Sequence, residues 1–228
     1  MKTSEQLRIR SQVNNSLKKL LIHLSSGKAH TLIELIKSTK TSKSKLNDIL
    51  GELMLMNVVK TRKNRNHTYY YIENPEKIDF LKPFLPHPNT PLKIPSGMKY
   101  SRHCYKHLAG YVGVKLEEAL IRHNFIIRQD LEDDYNNYRV TPEGWEWFSQ
   151  FGISKESIES SGGRLTKQCL DFSERKSHLG GKLGDALLGE FFEKGWVYQV
   201  PDSREVKLTE AGKKGMLKEL GINLTPFN

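Results

Sequence analysis

The stretch TLIELIKSTKTSKSKLNDILGELMLMNVVKTRKNRNHTYYYI, running from Thr31 to Ile72, decides how the first third of this chain folds. It opens with Thr31-Leu32-Ile33-Glu34. In this Ser/Thr-x-x-Glu spacing the first and last side chains cap a helix start reciprocally, so a short helix carrying Leu32, Ile33, Leu35 and Ile36 is predicted. The polar break Ser38-Thr39-Lys40-Thr41 ends it. Ser42 then stands as the N-cap of a further helix with Leu46, Ile49, Leu50, Leu53 and Met56 on its apolar face and Asn57 at its C-cap. Val58-Val59-Lys60-Thr61, the basic turn Arg62-Lys63-Asn64-Arg65-Asn66 and Thr68-Tyr69-Tyr70-Tyr71-Ile72 read as strand, turn and strand. Upstream, Leu17, Leu20, Leu21 and Leu24 recur at helical spacing, and the pattern stops near Gly27.

Helix, helix, helix, hairpin is the order of a winged helix-turn-helix, with Glu73 to Leu85 free to add a closing helix. In that arrangement the N-terminal end of the second motif helix enters the major groove of DNA. Here that end is Ser42, Lys43, Ser44, Lys45 and Asn47, all off the apolar stripe. Lysine donates to guanine, asparagine pairs bidentately with adenine, and serine suits phosphate or either base. Arg62, Lys63 and Arg65 at the hairpin tip, with Tyr69 on the returning strand, are placed to follow a phosphate backbone or enter a minor groove. The implied partner is double-stranded DNA.

Charge is divided in the same way. The 228 residues carry a formal charge of +10, yet residues 1–95 hold 17 Lys+Arg against 7 Asp+Glu, while residues 96–228 hold 19 of each. A basic segment joined to a neutral one is the electrostatic footprint of a nucleic-acid module attached to a module with another job. The two meet at Phe84-Leu-Pro-His-Pro-Asn-Thr-Pro-Leu-Lys-Ile-Pro95-Ser-Gly97, whose four prolines forbid a helix. The expected organisation is a winged helix domain at 1–84, a linker at 85–97 and a second domain at 98–228. No apolar run approaches the roughly 18 residues of a membrane span, and the start of the chain lacks the apolar stretch of a secretory signal. With two cysteines in all, the expectation is a reduced, cytoplasmic protein without a disulfide scaffold and without membrane partners.

The second domain contains a repeat. His107-Leu-Ala-Gly110-Tyr-Val-Gly113 aligns with His178-Leu-Gly-Gly181-Lys-Leu-Gly184. Thr141-Pro-Glu-Gly144 aligns with Thr209-Glu-Ala-Gly212, and Phe151-Gly152-Ile153 with Leu220-Gly221-Ile222. Each copy, preceded by a cysteine (Cys104, Cys169), reads as a helix, an apolar turn, a polar hairpin and a helix opened by threonine. The fold class is therefore α+β and mostly helical: an N-terminal winged helix-turn-helix followed by two repeated winged-helix-like lobes at 98–155 and 165–228.

Residues 31–72 resemble the winged helix of the ArsR-type bacterial repressors, through Leu46, Leu50, Leu53, Val58-Val59 and the wing ending Tyr69-Tyr70-Tyr71-Ile72. The second half resembles a longer branch of that family. The likeness is carried by Cys104-Tyr105-Lys106-His107-Leu108-Ala109-Gly110 and by Cys169-Leu170-Asp171-Phe172-Ser173-Glu174-Arg175 followed by His178-Leu179-Gly180-Gly181. The resemblance implies a homodimer that represses by binding operator DNA and releases it when an effector, here a possible small molecule, binds. Metal-sensing members carry a Cys-x-Cys pair at the end of the first motif helix, where this chain has Leu32-Ile33-Glu34-Leu35-Ile36, so metal sensing does not carry over.

Cys104, His107, Cys169 and His178 could make a tetrahedral thiolate and imidazole site, with Cys104 and His107 on one helical face. The long Cys169 to His178 interval is not a usual zinc spacing, and buried cysteines are commonly small apolar residues. No metal or cofactor is therefore expected, and the four are read as structural or as lining a small-ligand site. Asp171, Ser173, Glu174 and Arg175 either line an effector pocket between the lobes or form a hydrogen-bonded helix start. Ser173, His178 and Asp171 lack a Gly-x-Ser-x-Gly turn, and no glycine-rich phosphate loop or His-Glu-x-x-His occurs, so an enzyme is not expected. The reading is a DNA-binding transcriptional regulator; the alternative is a replication initiator or a scaffold built from several winged helices.

Overall fold

Thr31 and Ser42 each start a helix. In this computed structural model, which describes residues 15–64, 66–72, 78–79, 94–129, 137–160 and 162–224, Thr31 Oγ1 accepts from Glu34 N at 3.3 Å. Glu34 Oε2 accepts from Thr31 N at 2.8 Å, closing the reciprocal cap. Ser42 Oγ accepts from Lys45 N at 3.4 Å. The chain divides into two compact units, Met1–Pro91 and Leu92–Asn228. Of the expected closing helix over 73–85 only Ile78 and Asp79, in a 3-10 turn, are among the described residues, and most of the linker lies outside them.

The first unit runs α1 (Asn15–Leu24), β1 (His30–Thr31), α2 (Leu32–Thr39), α3 (Lys43–Leu55), β2 (Lys60–Asn64) and β3 (His67–Tyr71). Its sheet has the order β1-β3-β2, antiparallel throughout, with Lys60 opposite Tyr71, Asn64 opposite His67 and Thr31 opposite Tyr69. Leu20, Leu21, Leu24, Leu35, Leu46, Leu50 and Leu53 close one core with Val58, Val59 and Ile72. Each fully buried leucine contributes about 1.5–3 kcal/mol of transfer free energy. Lys40 (φ 52°) ends α2 and Asn57 (φ 53°) follows α3, both left-handed. Val58 and Val59 precede the strand expected to contain them: their N–H groups donate to Leu53 O at 2.9 and 3.2 Å, so they plug the helix end and β2 begins at Lys60.

The second unit is two copies of one arrangement around a shared core that includes Leu108, Val112, Leu120, Phe148, Leu179, Leu183, Phe191 and Met216. The first copy is β4 (Arg102–Cys104), β5 (His107–Ala109), α4 (Gly110–Arg122), β6 (Ile126–Gln129), β7 (Asn137–Val140) and α5 (Pro142–Phe151). After α6 (Lys155–Ser160) the second is β8 (Lys167–Leu170), β9 (Ser177–Gly180), α7 (Gly181–Glu193), β10 (Val197–Gln199), β11 (Val206–Leu208) and α8 (Glu210–Leu220). Thr141 and Thr209 cap α5 and α8, accepting from Gly144 N at 2.9 Å and Gly212 N at 3.0 Å. One expectation is corrected. The cysteine and histidine blocks sit on two β-hairpins ahead of the helices, not on helices, and Cys104 faces His107 across a strand pair. Gly110 and Gly181, both at φ +81°, turn the chain from hairpin into helix.

Candidate nucleic-acid interface and a buried cysteine and histidine cluster

α3 puts its two sides to different uses. Leu46, Ile49, Leu50 and Leu53 are buried, whereas Ser42, Lys43, Ser44, Lys45 and Asn47 are all exposed. Its first turn carries no acidic residue, so the partial positive charge of the helix N-terminus adds to Lys43 and Lys45. Ser42 spends its hydroxyl on the cap, which leaves Ser44, Asn47 and the two lysines as the free donors and acceptors of this turn. On the wing, Lys63 is exposed, while Arg62 is half-buried with its guanidinium 5.3 Å from the Tyr71 ring centroid. Arg65 lies outside the described residues. Tyr69 differs from the expectation of an open contact. At 9% exposure it pairs with Thr31 and Arg62 within the sheet and supports the wing rather than lining its surface.

In the second unit the two hairpins exchange partners. Each histidine lies against the helix of the other copy: a methyl group built on Gly184 of α7 would stand 3.1 Å from His107 Cβ, and one on Gly113 of α4 would stand 3.7 Å from His178 Cβ. The two imidazole centroids are 5.2 Å apart. Ligand atoms of Cys104, His107 and His178 lie within 4.8 Å of one another. Cys169 pairs across its strand with His178 just as Cys104 pairs with His107. The interval along the chain that counted against a shared site does not matter here. β4 and β5 are joined by the two residues Tyr105 and Lys106, β8 and β9 by the longer Asp171–Lys176 loop, and the register at the cysteine is the same. Burial holds the His107 imidazole below its ordinary pKa against the opposing pull of Asp185, and burial raises the Cys104 thiol.

Asp171 is neither a helix start nor a pocket wall. It is 1% exposed, and protein donors take both its oxygens. Oδ1 accepts from Ser173 N and Oγ, each at 2.8 Å, and from Glu174 N at 2.9 Å. Oδ2 accepts from Arg102 Nη2 and from Gly110 N at 2.8 Å. Burial would raise its pKa, but these hydrogen bonds, led by Glu174 N and Arg102, bring it down to about 2, so the carboxylate is ionised. Arg102, 2% exposed, also donates to Met98 O at 2.7 Å and Ser173 Oγ at 3.2 Å and lies 4.0 Å over the Phe172 ring. Glu174 and Arg175 are half-buried in the same loop. Sequence reasoning missed Arg102 and Asp185. The repeat offers a signal only for Asp185, because it follows Gly184 where the first copy has Val114 after Gly113.

The chain is 29% identical over 213 residues to YdfF of Bacillus subtilis strain 168, an uncharacterised HTH-type transcriptional regulator. The alignment covers 90% of this chain and 92% of that protein. The similarity spans both units, and transcriptional regulators are not a class of enzymes. No family model and no solved structure matches the chain. Among the described residues, no helix is long and apolar enough to cross a membrane.

Proposed function

We propose that the chain is a cytoplasmic, sequence-specific DNA-binding transcriptional regulator of the ArsR type. It acts as a homodimeric repressor that releases its operator when an effector binds the second unit. The observation that carries the reading is the N-terminal turn of α3: an exposed Lys43, Lys45 and Asn47 on a helix whose opposite side is anchored in a leucine core. A helix that reads base edges needs a fixed pose and a free, positively polarised end. The wing beside it supplies Lys63 for phosphate contacts that set register without reading sequence. The basic excess of residues 1–95 and the similarity to an HTH-type regulator support the same reading. The dimer, the repressor role and the effector rest on the family resemblance of the two Cys/His blocks.

Selection from a random duplex pool with the full-length, reduced protein tests it. A homodimer should enrich an inverted repeat with half-sites about one helical turn, roughly 34–36 Å, apart. A pool that stays unenriched overturns the reading, and an array of direct repeats would move it to a replication initiator.

A further inference from the structure

The His107 and His178 rings occupy the place where the two copies of the second unit cross, and packing alone does not account for polar groups there. His107 has a side chain 7% exposed, and its Nε2 is buried without a hydrogen bond among the described residues. Leaving such a nitrogen unsatisfied is unfavourable, and an apolar ring would fill the space without that cost. Its other nitrogen, Nδ1, is 3.3 Å from Asp185 Oδ1. A carboxylate oxygen accepts, so the proton belongs on Nδ1 and Nε2 keeps its lone pair. The Nε2 atom and Cys169 Sγ flank a single point, since a methyl group built on Gly180 would stand 3.0 Å from the first and 3.1 Å from the second. Glycine at 180 keeps that space open.

We propose that Cys104, His107 and His178 bind a zinc-class transition-metal ion where the two hairpins cross, with the open side of the site facing Cys169. Their ligand atoms already lie within 4.8 Å of one another, before any ion draws them in. One thiolate and two imidazoles suit zinc and its neighbours and do not suit calcium or magnesium, which take oxygen ligands. Asp185 is a positioning residue. It holds the His107 ring with Nε2 inward, as carboxylates behind metal-bound histidines do. Binding replaces the thiol proton of Cys104 with a metal–sulfur bond and releases that proton to solvent, with no change of oxidation state. The ligands come from β4–β5 and from β9, so the ion would tie the two copies together.

The test uses the full-length, untagged, reduced chain, stripped with a chelator and titrated first with cobalt(II) and then with zinc(II). The expected result is one equivalent of cobalt with the visible bands of a tetrahedral complex and a thiolate-to-cobalt charge-transfer band, both bleached by zinc. Cys104 is only half-buried, so Cys104→Ser should fold and lose the charge-transfer band. Asp185, with a side chain 37% exposed, should tolerate Asp185→Asn, and that variant should bind about 10–100-fold more weakly with an unchanged circular dichroism spectrum. A chain that takes up no cobalt, or a Cys104→Ser variant with the wild-type spectrum, overturns the proposal. Metal uptake is read without DNA, so its failure is distinct from a failure of the DNA-binding reading.

Discussion

Three helices of this molecule put their N-termini to opposite uses. α3 begins with Ser42 as a side-chain cap and leaves Lys43, Ser44, Lys45 and Asn47 in solvent. α4 and α7 begin without a side-chain cap, at Ala109 and Gly180, and their starts are closed over. Gly113 and Gly184 lie one turn in. A Cβ at either would come to 2.5 Å from the Leu108 or Leu179 carbonyl oxygen, and the opposite copy's histidine sits just beyond. The difference teaches how to tell an open helix end from a covered one in this architecture. A hydroxyl cap followed by lysines marks an end that faces solvent, and two glycines three residues apart mark an end covered by another strand.

That contrast can be broken first at the covered end. Asp171→Ala strands the buried Arg102 guanidinium, and removing one partner of such a pair costs about 3–5 kcal/mol. All three tryptophans, Trp145, Trp147 and Trp196, belong to the second unit, so its urea transition is followed by tryptophan fluorescence. A midpoint within error of wild type would show that the Arg102–Asp171 pair does not hold the second unit together. Gly184→Val comes next, at about 1–3 kcal/mol for overpacking against Leu179 O and His107, read in the same transition. Both variants should leave the proposed DNA binding by the first unit unchanged when affinity is measured below the transition. At the open end, Ser42→Ala removes the cap of α3 at about 1 kcal/mol of stability, read by thermal melting followed by circular dichroism. The smallest effect is expected at Lys63→Ala, which should weaken binding to every duplex alike and lower the salt slope by about one.

The caps were the most legible part of the fold. Thr31, Ser42, Thr141 and Thr209 all act within three residues of themselves, so spacing alone finds them. β1 was not legible, because two residues, His30 and Thr31, become a strand only through Tyr70 and Tyr69 far along the chain. The hairpins of the Cys/His blocks were missed for a related reason. His107-Leu108-Ala109 shows no alternation of polar and apolar residues, since all three are buried, and the repeat gave the equivalence of the blocks but not their strand character. The candidate interface on α3 was readable from the apolar stripe, which leaves Lys43, Lys45 and Asn47 on the other side. That Tyr69 is the buried one of the three tyrosines was not legible, because a run of three does not say which one turns inward. Arg102 was beyond reach: its partner Asp171 is 69 residues away, and the second copy has an exposed Lys167 where the first has a buried arginine.

The most direct test of the central claim is a salt titration of the full-length chain on its selected duplex, beside the Lys43→Ala, Lys45→Ala double variant. If a dimer makes about 6–10 phosphate contacts, wild-type affinity should fall roughly 10³–10⁵-fold between about 50 and 200 mM salt. The double variant should lose about 1–3 kcal/mol per lysine on the selected site and little on unrelated DNA. A flat titration, or a double variant that discriminates the selected site as well as wild type does, would contradict the assignment of α3 as the reading helix.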